Sequence, residues 1–112
     1  MSQYNDQFSA VLSRLVKSID ERKGAEPGSS YTASLFAGGV EKCAKKFGEE
    51  SFELALAAAS GDKSHTAEEA ADVLYHYLVL LGVSGVDLDD VGQILAKREG
   101  MSGHEEKASR LK

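Results

Sequence analysis

Apolar positions recur along the chain with the period of a helix, not the alternation of a strand. Phe8, Val11, Leu12, Leu15, Val16 and Ile19 follow steps of three, one and three, which predicts an amphipathic helix over roughly residues 4–22. The stretch 23–30 (KGAEPGSS) holds the single proline and reads as a loop. Residues 31–36 read as a short helical turn ended by Gly38 and Gly39, followed by a long helix from about Val40 to Ser60 that Gly61 and Asp62 close. Thr66 and Glu69 have capping-box spacing, so the next helix is expected over about 66–81, with a start nearer Ser64 equally compatible. Gly82 and Gly85 end it, and Asp87 suits the N-cap of a last helix over about 88–98. The pattern implies an all-α bundle of four to five helices in one domain, residues 1–98. Residues 99–112 form a polar tail, either a free end or a segment docked on a partner chain.

The helix over 70–81 is apolar nearly all round, which places it in a core or an interface. Its polar exceptions are Glu69, Asp72 and His76. At about 100° per residue they fall within roughly 60° of one another. Carboxylates on such a helix are costly unless they are paired or bound to a cation. The preceding helix repeats the arrangement, with Glu49, Glu50 and Glu53 on one face and Phe52 and Leu56 bordering it. Packed antiparallel across a short connection, the two helices bring their acidic stripes together. Carboxylates converging in a partly apolar cleft require protons or a hard cation between them. Oxygen ligation suits Mg²⁺ or Mn²⁺, while zinc would want a Cys/His cluster that this chain lacks. A ferritin-like redox site would want Glu-x-x-His on two helices, and there is none.

Charge sharpens the question. The formal net charge is −5, which argues against nucleic acid as a partner. An acidic protein that handles phosphates needs local cations. Lys42, Lys45 and Lys46 continue the acidic stripe toward the N-terminus of its helix, which is a natural arrangement for phosphate beside a divalent metal. Each feature has a plainer reading. Lys45–Glu49 and Lys46–Glu50 could be simple surface pairs, and the glutamates a solvated face. His76 is more often a satisfied core histidine, Tyr75 and Tyr77 packing residues, and Cys43 a small core residue. A single cysteine fits a reducing compartment. No apolar run reaches the roughly 20 residues that a bilayer needs, and no secretory signal is visible, so a cytoplasmic protein is expected.

The spacing Glu49-Glu50-x-x-Glu53, then Glu69-x-x-Asp72, resembles the signature of the all-α, MazG-like nucleoside triphosphate pyrophosphohydrolases. Within that superfamily, Ser30-Tyr31-Thr32-Ala33, Lys45 to Glu50 and Glu68 to His76 are similar to the phosphoribosyl-ATP pyrophosphohydrolase family, over about residues 5–110. The resemblance implies hydrolysis of phosphoribosyl-ATP to phosphoribosyl-AMP and pyrophosphate, the second step of histidine biosynthesis, in a homodimer. It implies Glu50, Glu53, Glu69 and Asp72 as ligands of Mg²⁺, with Glu49 as a further ligand or an orienter of water. Lys42, Lys45 and Lys46 become candidates for phosphate contacts. Arg22, Lys23, Tyr31 and Thr32 become weaker candidates around a loop that could close on substrate, and His76 a supporting residue behind the ligands. Phe47 stands where an aliphatic residue is usual in that family, and Ser51 and Phe52 where Ala, Thr or Val are common. Two other readings compete: a house-cleaning pyrophosphohydrolase of the same superfamily, and a non-catalytic helical dimerisation or adaptor protein.

Overall fold

The computed structural model describes residues 6–101 and 103–110. Among them lie five α-helices and one 3-10 turn and no strand. They are α1 (Asp6–Glu21), a turn at Pro27–Ser29, α2 (Tyr31–Ser60), α3 (Lys63–Ser84), α4 (Leu88–Arg98) and α5 (Gly103–Arg110). The expected start of α1 at residue 4 lies outside the described residues. The tail, expected to be simply polar, contains α5.

The helices α2 and α3 form an antiparallel hairpin, and α1 packs on α3. The Ser30 side chain caps α2 by accepting from the Ala33 amide at 3.0 Å. The expected separate turn and long helix are nearly one element, broken only at Gly39 (φ 81°, ψ −177°). Only glycine holds that conformation without strain. The Cys43 thiol donates to the Leu35 carbonyl at 3.2 Å and ties the two segments across the break.

The third helix starts earlier than its capping-box spacing suggests. Asp62 is the N-cap, accepting from the His65 amide at 3.0 Å, and Thr66 bonds back to the Asp62 carbonyl at 2.7 Å from inside the first turn. The helix also runs through Gly82 and ends at Gly85. Gly82 serves packing: a Cβ there would meet the Phe36 ring at 3.2 Å. The Asp87 side chain caps α4 by accepting from Asp89 at 2.8 Å.

The core is small. Ile19, Leu35, Cys43, Leu78 and Val79 are buried together, with Leu15, Val16, Phe36, Tyr75 and Leu88 packed against them. Val73 and Leu74, expected in a core or interface, are only half-buried in the single chain. Phe52 and Leu56, at 65% and 56% exposed, do not close over the acidic stripe.

Candidate active site

The hairpin turns the two acidic stripes toward each other. Carboxylate oxygens of Glu50, Glu69 and Asp72 all lie within 4.8 Å of one another. Glu50 comes from the middle of α2, and the other two come from successive turns of α3. Asp72 is exposed, whereas Glu50 and Glu69 are half-buried. The Glu69 Oε2 atom is buried with no hydrogen-bond partner among the described residues. Its other oxygen lies 3.9 Å from His65 Nε2, an i,i+4 neighbour that the sequence reading did not single out.

The electrostatics follow from crowding. Burial, then the Glu53 carboxylate beside it, pushes the Glu50 carboxyl above the usual carboxylate range. Burial, then Glu53 and Asp72, does the same to Glu69, and His65 works against the shift. Glu53 is itself exposed on α2 but acts on both. Apart from His65 beside the other Glu69 oxygen, the cluster is made of carboxylates, which cannot donate to one another unless one of them takes up a proton. A hard cation would relieve both the repulsion and the orphaned oxygen, so the residues present fit one.

The remaining candidates separate. Lys46 lies 3.5 Å from Glu49 Oε1, a pair at the rim of the cluster. Glu49 thus faces Lys46, outside the group of three converging carboxylates. Lys42 lies along Gly38, and Lys45 is exposed. Arg22, just past α1, is held against the last turn of that helix by donating to the Ser18 carbonyl (2.9 Å) and hydroxyl (2.7 Å). Lys23 is not brought to the acids. It pairs with Asp20 at 3.6 Å and lines a separate cleft of about 470 Å³ near Gly82 and Asp87. Gly82 is ten residues beyond Asp72 on α3, roughly 15 Å along the axis.

His76 is buried against the Tyr75 ring, whose centroid is 4.9 Å away. Burial, then the Lys46 ammonium, pushes its pKa below the ordinary histidine value, so it is neutral at neutral pH. Thr32 Oγ1 and the Tyr75 hydroxyl are joined at 2.6 Å. Tyr31 stands exposed beside them.

A family model described as phosphoribosyl-ATP pyrophosphohydrolase matches residues 12–99. The chain belongs to the phosphoribosyl-ATP pyrophosphohydrolase family. Relatives carrying the name phosphoribosyl-ATP pyrophosphatase include one from Cereibacter sphaeroides (strain ATCC 17023), 55% identical over 89% of this chain and 97% of its own length. Another, from Ruegeria pomeroyi, is 52% identical over 92% of this chain and 98% of its own length. A third, from Paracoccus denitrificans, is 54% identical over 88% and 92%. The matched span of the pyrophosphohydrolase family runs from within α1 to the end of α4, and so takes in both acidic stripes.

Proposed function

We propose that this chain hydrolyses phosphoribosyl-ATP to phosphoribosyl-AMP and pyrophosphate, the second step of histidine biosynthesis, in the cytoplasm. The reading rests on one observation above all. A chain of this family brings three carboxylates within 4.8 Å around a buried oxygen without a donor. Relatives identical to it at more than half of the aligned positions are named for that reaction.

Glu50, Glu69 and Asp72, with Glu53 beside them, would hold Mg²⁺ or Mn²⁺. A cation bound there supplies charge neutralisation and Lewis acidity toward phosphate oxygens. The protein supplies the rest. Lys46 meets a phosphate oxygen from the rim, held in place by Glu49. Lys42 and Lys45, on the same helix, add positive potential on the approach to an otherwise acidic molecule. Glu50, the carboxylate that α2 brings into the cluster, is the group placed to accept a proton from the attacking water. Arg22 and Tyr31 flank the substrate, and the buried Thr32 and neutral His76 pack behind Tyr31. Lys23, with its own pair and its own cleft, has no part in this reading.

The working unit is a homodimer of the domain 1–98, with the tail 99–112 appended. A groove of about 780 Å³ lined by Val11, Leu15, Phe47, Leu74 and Tyr77 is nearly all apolar. The Cα radius of gyration is 16.1 Å, against about 13 Å for a compact domain of this length. A second copy seated on the groove would complete the core. Among the described residues no helix is long and apolar enough to cross a membrane. Comparing turnover of phosphoribosyl-ATP with that of ATP, dUTP and dCTP tests the substrate. A preference for phosphoribosyl-ATP supports the proposal, and faster turnover of a free nucleotide defeats it. The Val11→Asp variant should sediment as a monomer, and a wild type that is itself monomeric would remove the homodimer from the account.

A further inference from the structure

Tyr31 is the first residue of α2, and 55% of it is exposed. Its ring is nonetheless fixed. It lies nearly parallel to Tyr75, with centroids 6.3 Å apart and planes 21° from each other. The His76 ring meets it edge-on at 6.2 Å and 87°. Behind this surface Tyr75 is locked to Thr32 by the 2.6 Å hydrogen bond, and Thr32 and His76 are both buried. An exposed aromatic ring backed by a second ring and set on a buried hydrogen bond is preorganised to receive a flat partner.

Its place in the site points the same way. Tyr31 and Lys46 lie close enough to interact, and Lys46 reaches the rim of the acidic cluster through Glu49. His76 follows Asp72 by one helical turn, about 6 Å along the axis. The exposed ring, the ammonium and the carboxylates therefore succeed one another across the hairpin. A nucleotide presents a matching succession: a flat base, a ribose, then the phosphates, with the bond to be broken between the first and second of them.

We infer that Tyr31, backed by Tyr75, is the platform on which the purine of the substrate stacks while its phosphates run past Lys46 to the Glu50, Glu69 and Asp72 cluster. This rests on the proposed function and names the residue that reads the base. Tyr31 acts here through its ring and not through its hydroxyl. Stacking of a base on an aromatic side chain changes affinity by about five- to 150-fold.

Two measurements test the inference. The chain has no tryptophan, so the Tyr31→Trp variant carries a single reporter at the platform. Titrated with AMP in EDTA, its emission should be quenched saturably, whereas ribose 5-phosphate should leave it unchanged. Quenching by both, or by neither, overturns the proposal. In steady-state hydrolysis, Tyr31→Leu should raise KM for phosphoribosyl-ATP at least five-fold with kcat within about three-fold, and Tyr31→Phe should keep both near wild type. Equal effects of Leu and Phe would overturn it, because the hydroxyl would then be the group that matters. A wild type that fails to release pyrophosphate would defeat the proposed function alone. The AMP titration would still decide the platform.

Discussion

Replacing Asp72 by Asn separates the charge of the acidic cluster from its fold. Asp72 is the exposed member of the three, so the substitution removes one carboxylate charge and leaves the packing of α3 in place. A divalent cation held at about 100 times its Kd adds about 2.7 kcal/mol to the stability of the native state. Unfolding entropy of about 2.1 cal/mol/K per residue gives about 0.24 kcal/mol/K for 112 residues, so the wild-type Tm should rise by about 11 °C. If the variant binds about 100-fold more weakly, the same concentration adds about 0.4 kcal/mol, or about 2 °C. Without cation, its Tm should match or exceed that of the wild type, because a repelling charge has gone. The assay is thermal unfolding by circular dichroism at one fixed protein concentration, with Mg²⁺ or Mn²⁺ added stepwise. A wild type indifferent to either cation, or an equal gain in both proteins, would refute the reasoning.

Other consequences follow from the same geometry. Leu35 is fully buried, and Leu35→Ala should cost about 3 kcal/mol, lowering Tm by about 12 °C; a loss below about 4 °C would show that the core is not centred there. Gly39→Ala places a side chain at φ 81° and should cost about 1–3 kcal/mol in urea unfolding with an unchanged m-value. The Glu50 and Glu69 carboxyls are held above their ordinary value by burial and by neighbouring carboxylates. The metal-free folded state therefore binds more protons than the unfolded chain, and its stability should rise as pH falls toward 4.5. The penalty is fully present above the folded-state value and gone below the unfolded one. Protons also compete with the cation, so the cation-induced gain in Tm should shrink over the same window, and Glu50→Gln should flatten the metal-free slope.

The helical architecture was legible because its signals are local. The steps of α1, the Asp87 cap and the acids spaced along α2 and α3 are properties of neighbouring residues, and helix periodicity turns them directly into faces. What could not be read depends either on contacts distant in sequence or on which of several local partners a side chain takes. Gly82 looks like a stop signal, but Phe36 packs against it from another helix, so the helix continues. Thr66 looks like a cap, but the preceding Asp62 takes that role and draws Thr66 into the first turn. Glu49 shares a face with Glu50 and Glu53 by angle, yet it turns to Lys46. Lys23 is one residue from Arg22, yet it faces another cleft. The pairing of Thr32 with Tyr75, 43 residues apart, left no trace in the local pattern.

The most direct test is release of pyrophosphate from phosphoribosyl-ATP, measured with Mg²⁺, with EDTA, and for the Glu50→Gln variant with Mg²⁺. Rapid release that stops in EDTA and collapses in the variant is the predicted result, since Glu50 is the residue through which α2 enters the cluster. Release that is unaffected by EDTA, or retained in full by Glu50→Gln, would contradict the claim that the converging carboxylates are the site of the reaction.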